Sequence, residues 1–116
     1  MTQLRTFPRY RTIDDIQDRN RRAGHHYFSP DTMRWFNSRV SDTIYPVTYG
    51  AFLVTSERRD HETPRLYTVR FADLTGRIST MGEFQQYRSL SGAHAAARRL
   101  ATQYADTNPC ATAEES

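Results

Sequence analysis

Residues 25–40, HHYFSPDTMRWFNSRV, combine side chains that could bind a metal, a nucleic acid or a partner protein. The two adjacent histidines are potential metal ligands, but a zinc site needs three or four ligands that converge. The other two histidines lie far along the chain, and neighbours in a turn point in different directions, so we expect no metal and no cofactor. Four residues of the stretch are candidate partner contacts: Tyr27, Phe28, Arg34 and Trp35.

Familiar catalytic motifs are missing from the sequence. There is no glycine-flanked serine elbow and no Gly-rich phosphate loop, and the single cysteine, Cys110, lies in a polar tail. The stretch SERRDHETPR holds three acids that could act as paired acid and base, but three arginines balance them. These acids are Glu57, Asp60 and Glu62. We interpret this segment as a solvated hairpin connection, and we do not expect an enzyme.

The basic side chains are all arginine, sixteen in number, and the formal net charge is +3. Residues 1–22 carry six arginines and three aspartates, whereas residues 105–116 carry three acids and no base. The absence of lysine indicates a GC-rich genome, although arginine also favours bidentate contacts with phosphate or carboxylate. A mildly basic body with a basic leading segment permits nucleic-acid binding without requiring it.

Three groups of arginines are candidate nucleic-acid contacts. The arginines of residues 1–11 could neutralise phosphates while Phe7 and Tyr10 stack on bases. The other two groups lie at the end of the first helix and on the last helix. An ordinary terminus and a solvated helix face would explain the same residues. The candidates are Arg5, Arg9, Arg11, Arg19, Arg21, Arg22, Arg98 and Arg99.

An arm and a short helix are expected before residue 25. Residues 1–11 have no helical or strand period and predict a flexible basic arm. Thr12 and Asp15 then form a capping-box pattern, and Gly24 ends the helix that they begin. Acids come first in this helix and arginines last, as the helix dipole favours.

A second helix is predicted to begin at Ser29-Pro30-Asp31. Serine caps free amide groups, proline fits the first helical position, and aspartate lies at the positive end of the dipole. Met33, Phe36 and Val40 recur at i, i+3 and i+7 and predict one buried face of this helix. Trp35 would lie beside that face.

From Val47 onward the apolar residues alternate with period two and predict three strands. They lie in VTYGAFLVTS, LYTVRFAD and RISTMGEFQQY. Gly76 occupies the turn between the last two, where a positive φ is tolerated. The strands would form an antiparallel meander.

The stretch SLSGAHAAARRLATQY predicts a closing helix whose alanines let it lie close to a sheet. Residues 106–116 are expected to be a disordered acidic tail, which leaves 12–105 as a single domain. The predicted fold class is α+β. It is a two-layer domain in which the second and third helices cover a three-stranded meander, in the order α-α-β-β-β-α.

The sequence also lacks membrane and export signals. No apolar run approaches the roughly 20 residues that cross a bilayer, and the first residues lack the apolar segment of a signal peptide. We therefore expect a soluble protein inside the cell, without membrane contact. The pattern does not indicate an oligomeric state.

The words FSPDTMRWFNSR and VTSE, together with LYTVRF and ISTMGEFQQY, resemble a family of small proteins encoded by bacteriophages and prophages. That family is widespread and has no established function. The resemblance covers roughly residues 13–101. It implies a phage accessory protein that acts in the host cytoplasm, and it supplies no catalytic residues.

A second resemblance, one of topology, is to the double-stranded-RNA-binding domain. HETPRLYTVRF, Gly76 and SGAHAAARRLA resemble that family's loop and second strand, its turn glycine and its closing helix. His61 would match the loop that enters a minor groove of the RNA. The lysines with which that family grips phosphates are replaced here by Gly92, Ala93 and His94.

Two functions are therefore expected. In the first, the chain is a non-enzymatic protein-interaction module through which a phage protein modulates a host or defence component. An exposed apolar patch around Trp35 would support it. In the second, the chain is a non-enzymatic nucleic-acid-binding protein that uses the basic arm and the last helix, which requires a contiguous positive surface. We rank the first function ahead because the lysines that bind phosphates in the double-stranded-RNA-binding domain are missing here.

Overall fold

A computed structural model describes residues 10–107, apart from the side chains of Phe36 and of residues 105–107. The predicted arm up to residue 9 and the tail from residue 108 lie outside the described residues. The helices are α1 (Ile13–Arg22), α2 (Pro30–Arg34) and α3 (Leu90–Thr107), with a 3-10 turn at Trp35–Asn37. The strands are β1 (Arg39–Val40), β2 (Tyr45–Val47), β3 (Gly50–Glu57), β4 (Leu66–Asp73) and β5 (Ile78–Met81).

The five strands form one antiparallel sheet in the order β1-β3-β4-β5, with β2 also paired to β3. Strands β3 and β4 pair along their full length, from Gly50 opposite Asp73 to Glu57 opposite Leu66. The α+β class is confirmed, and β3, β4 and β5 form the predicted meander, although β3 begins at Gly50 rather than Val47 and β5 ends at Met81 rather than Tyr87. Strands β1 and β2 were not predicted; they pair with the two halves of the remaining edge of β3.

The second helix is much shorter than predicted. Ser29 caps it as expected, by accepting a hydrogen bond from the amide of Thr32, but the helix ends at Arg34. Val40 does not extend a helical face; it lies in β1, opposite Thr55 of β3. The predicted helical face of Met33, Phe36 and Val40 is therefore wrong, because Val40 lies outside the helix. The backbone of a central strand needs hydrogen-bond partners at both edges, and the chain after Asn37 supplies them.

An apolar core lies on each face of the sheet. On one face, aromatic and branched side chains of β3 and β4 pack against the alanines of α3. That core consists of Val47, Phe52, Val54, Val69, Ala93, Ala96 and Ala97. The core on the other face consists of Tyr10, Ile16, Ala51, Leu53 and Ala72.

Helix α1 covers the second face, whereas the sequence analysis predicted cover on one face only, by the second and third helices. Its predicted capping box is present, and Ile16 is fully buried. Asn20 donates to the carbonyl of Gly76 at 2.7 Å and accepts from the amide of Tyr27 at 2.9 Å. Gly76 has φ +93°, and a Cβ there would lie 2.8 Å from the carbonyl oxygen of Arg19. Glycine thus allows α1 to dock against the β4–β5 turn.

Tyr10 belongs to the fold, which corrects the prediction that residues 1–11 form one flexible arm. Its ring is 2% exposed in the second core, and its hydroxyl donates to the carbonyl of Asp73 at 2.5 Å. Burial raises the pKa of Tyr10 to about 12, against the lowering effect of the Arg19 charge. A ring held in this way is not available for stacking on a base.

Variants of Tyr10 separate its packing from its hydrogen bond. We expect Tyr10→Phe to lower the free energy of unfolding by about 1 kcal/mol because one hydrogen bond is lost. Tyr10→Ala should lower it by about 3–5 kcal/mol because a buried ring is removed. Urea denaturation followed by circular dichroism measures both. The control is Tyr49→Ala, which removes a ring that is 39% exposed. Equal losses for the two alanine variants would contradict the core position of Tyr10.

Candidate partner-binding surface

A buried polar cluster occupies the end of the sheet beyond α1. Alternation along β3 directs Thr55 and Glu57 to the same face as Ala51 and Leu53, and alternation along β4 directs Thr68 and Arg70 there. Glu57 is 1% exposed. The sequence interpretation placed Glu57 in a solvated loop, and this is wrong, because β3 continues through Glu57 and pairs with Leu66.

Every member of this cluster is hydrogen-bonded to another. The Glu57 carboxylate accepts from the Thr55 hydroxyl at 2.7 Å, from the Thr68 hydroxyl at 2.9 Å and from Nη2 of Arg70 at 3.1 Å. Arg70 also donates from Nε to Thr55 at 3.0 Å and from Nη1 to Thr80. The two charges neutralise each other inside a saturated network, which suits a structural role better than proton transfer.

Two aromatic rings cover the guanidinium of Arg70. The ring of Tyr27 lies 5.7 Å from it and that of Phe84 lies 5.6 Å from it, both within cation–π range. Burial raises the pKa of Tyr27, against the nearby charge of Arg70. Tyr27 also meets Phe28 edge-on, with ring centroids 4.8 Å apart. The polar cluster thus holds the segment before α2 against the sheet.

The loop after β5 is fixed to the same cluster. The amide of Gln85 donates to the Thr68 hydroxyl at 2.7 Å, and its side-chain amide donates to the carbonyl of Glu57 at 3.0 Å. Gln85 has φ +59°, which places its backbone in the left-handed region. Phe84, its neighbour, remains 46% exposed. The ring of Phe84 is therefore exposed to solvent on a loop that is hydrogen-bonded to the buried polar cluster.

Trp35 is the most exposed large apolar side chain among those described, at 71%. It follows α2 directly, and its carbonyl accepts a hydrogen bond from the Ser38 hydroxyl at 3.0 Å. Arg34 is also exposed and forms an ion pair with Asp31. Of the four candidate partner residues, Tyr27 and Phe28 pack against the protein, whereas Arg34 and Trp35 face outward. The four do not form one surface patch.

The candidate nucleic-acid residues are likewise dispersed. Arg19 packs over the ring of Tyr10 and donates to the carbonyl of Leu74 at 2.6 Å. Arg21 and Arg22 both form ion pairs with Asp18. Four others are exposed at three separate places: Arg11 before α1, His61 between β3 and β4, and Arg98 with Arg99 on α3. Arg5 and Arg9 lie outside the described residues.

His94 joins α3 to the edge strands. Its Nε2 lies 2.9 Å from the Ser41 hydroxyl and its Nδ1 lies 3.0 Å from the Tyr45 hydroxyl. Burial lowers the pKa of His94, the charge of Arg98 lowers it further, and Asp42 opposes both.

The sequence analysis predicted that no metal is bound by His94 or by the other three histidines. Within residues 10–107 no group of three or more potential ligands converges.

Comparison with protein families identifies a match. The family model described as "Family of unknown function (DUF7447)" matches residues 12–98. The chain belongs to the DUF7447 family. No curated protein and no solved structure matches it. In the described part of this DUF7447 chain, no helix is both long enough and apolar enough to cross a membrane.

The sequence interpretation missed the polar cluster although a signal for it was present. Period-two alternation already places Thr55 and Glu57 on one face and Thr68 and Arg70 on one face. Pairing β3 with β4 would have brought the acid and the arginine together. Composition hides this signal, because Glu57 adjoins the charged segment RRDHE and shares its character.

The polar cluster can be tested by removing one charge or both. We expect Glu57→Gln to lower the free energy of unfolding by about 3–5 kcal/mol, because Arg70 then keeps a buried charge without a partner. Glu57→Gln combined with Arg70→Met should cost less than this single change. Urea denaturation measures both, with exposed Glu62→Gln as the control. A double variant that is no more stable than Glu57→Gln would contradict the charge pairing.

The lowered pKa of His94 predicts a pH dependence of stability. The unfolded chain takes up a proton near pH 6.5, whereas the folded protein does so only at lower pH. Stability due to neutral His94 is therefore complete above about pH 6.5 and is lost as the pH falls through the lower folded value. Unfolding measured at neutral and mildly acidic pH should show a smaller loss for His94→Gln than for the wild type. Equal losses would contradict the shift.

Proposed function

We propose that this chain is a phage-encoded accessory protein that acts in the host cytoplasm as a non-enzymatic protein-interaction module and modulates a host or defence component. The observation that carries the proposal is the exposure of Trp35 on a fixed segment. Tryptophan is enriched among the residues that dominate binding energy at protein interfaces. An indole that is 71% exposed retains most of its apolar area for burial against a partner.

The segment that carries Trp35 is ordered before any partner arrives. The Ser29 cap begins α2, the Ser38 hydroxyl bonds to the carbonyl of Trp35, and Arg65 donates to the carbonyl of Asn37 at 2.8 Å. Such pre-organisation lowers the entropy lost on binding. These contacts support a recognition role because they present the exposed indole in one conformation.

Dispersal of the basic residues supports a protein partner over the alternative, a nucleic-acid-binding protein with a fold like the double-stranded-RNA-binding domain. Binding along a phosphate backbone needs several free arginines on one surface. Arg19 is engaged within the fold, and Asp18 offsets Arg21 and Arg22. Among residues 10–107 the alternative therefore depends on exposed residues of separate elements, such as His61 and Arg98, in addition to the basic arm before them.

Affinity capture tests the proposal. The tagged protein and its Trp35→Ala and Tyr49→Ala variants are incubated with nuclease-treated lysate of phage-infected bacteria. We expect one defined protein to be recovered by the wild type and by Tyr49→Ala. Recovery by Trp35→Ala should fall at least about tenfold, as for a loss of about 1.4 kcal/mol or more at a hot spot.

Tyr49 is a matched control because it is an exposed aromatic residue at the opposite end of β3. It lies in the turn before Gly50, whereas the Trp35 segment contacts the end of β3 at Ser56 through Arg65. Thermal unfolding of each variant shows that the fold is retained. Equal recovery by Trp35→Ala and the wild type, or recovery that requires intact nucleic acid, would contradict the proposal.

A further inference from the structure

A groove lies where strand β1, the end of the β3–β4 hairpin and the first residue of α3 meet. Its walls include Arg39, Arg65, Tyr67 and Leu90, and we call it the arginine groove. It opens on the face of the sheet opposite the Glu57 cluster, because Tyr67 belongs with the core under α3. The groove shares Thr55 with the polar cluster, but Arg39 and Arg65 make no hydrogen bond to that cluster among residues 10–107.

The two arginines of the groove differ in their freedom. Arg65 is half-buried, and its Nη1 donates to the carbonyl of Asn37 and to the Ser56 hydroxyl at 2.8 and 2.9 Å. Arg39 is exposed, and in the described part of the chain its side chain makes no hydrogen bond or ion pair. One guanidinium is therefore fixed in position, while the other can move to meet a ligand.

Positive charge in the groove is only partly offset. The pKa of Arg65 is lowered first by burial and then by the charges of Arg39 and Arg58. Asp42 also lines the groove, but neither Arg39 nor Arg65 forms an ion pair among residues 10–107. Glu57, the acid nearest in sequence to Arg58, is already paired with Arg70. A bound anion would relieve this repulsion.

Apolar walls accompany the charge. Leu90 is 46% exposed at the start of α3, and Tyr67 is half-buried beside it in the lining. A ligand that matches both properties carries carboxylates next to an apolar side chain, because arginine binds carboxylates through paired hydrogen bonds.

We infer that the arginine groove binds an acidic segment of a protein partner, with carboxylates on Arg39 and Arg65 and an apolar side chain against Leu90. This inference rests on the proposed function and names the chemistry of a second contact of the same partner. A nucleic-acid backbone fits less well, because it would need further cations in line with the groove and would leave Leu90 without an apolar contact.

Fluorescence anisotropy with a defined probe tests the inference. The probe is a short fluorescein-labelled peptide in which glutamate alternates with leucine, titrated with the full chain at low salt. We expect Arg39→Gln to weaken binding about threefold and Arg39→Gln/Arg65→Gln about tenfold or more, since each lost charged hydrogen bond reduces affinity. The matched control, Arg98→Gln/Arg99→Gln, removes the same charge from an exposed part of α3 and should change affinity less than about twofold.

Arg65→Gln could disturb the Trp35–Asn37 turn, so Arg39→Gln alone keeps the test decisive. The inference is overturned if the wild type does not bind the peptide or if Arg39→Gln binds as tightly as the wild type. Equal losses for the two double variants would also overturn it. So would tighter, groove-dependent binding of labelled duplex RNA or single-stranded DNA.

This assay contains no natural partner, which separates the two proposals. Absence of peptide binding together with Trp35-dependent capture would contradict the binding role of the groove and leave the interaction module. Peptide binding without any captured protein would contradict the interaction module and leave the binding of acidic segments by the groove.

Discussion

Strand β3 is buried on both faces and paired along both edges, and this double burial is the constraint on which the remaining structure depends. All eight residues from Gly50 to Glu57 are buried. A strand covered on both faces favours a continuous apolar run, and GAFLV supplies one. The run stops at Thr55, so the last three residues of β3 carry polar groups into the interior and need partners there.

Those partners determine how the end of the sheet is built. Glu57 engages Arg70, and the rings of Tyr27 and Phe84 then cover the arginine. Ser56 points to the opposite face and accepts from Arg65. A buried ion pair adds little net stability compared with apolar packing, but a half-satisfied one is costly. The cluster therefore acts by specifying one arrangement of the segments around it, including the segment that carries the exposed tryptophan.

The predictable parts of the fold are those whose signals are local. The capping box at Thr12, the cap at Ser29 and the period-two strands follow from residues close in sequence. Strands β1 and β2 could not be found in this way, because two or three residues carry no period and their pairing with β3 is long-range. Burial of Tyr10 was missed for the same reason, since its partner, the carbonyl of Asp73, lies 63 residues away.

The early end of α2, at Arg34, explains the exposure of Trp35. Three residues at i, i+3 and i+7 matched a helical face, but the backbone of Thr55 and Ser56 needed edge partners, and Arg39 and Val40 provide them. The chain must leave the helix before it reaches those residues, and it does so through a 3-10 turn in which Asn37 has φ +48°. That departure turns Val40 towards the sheet and leaves Trp35 outside. Exposure of the indole is thus a consequence of completing β3, and the contacts from Ser38 and Arg65 then hold the exposed segment in one conformation.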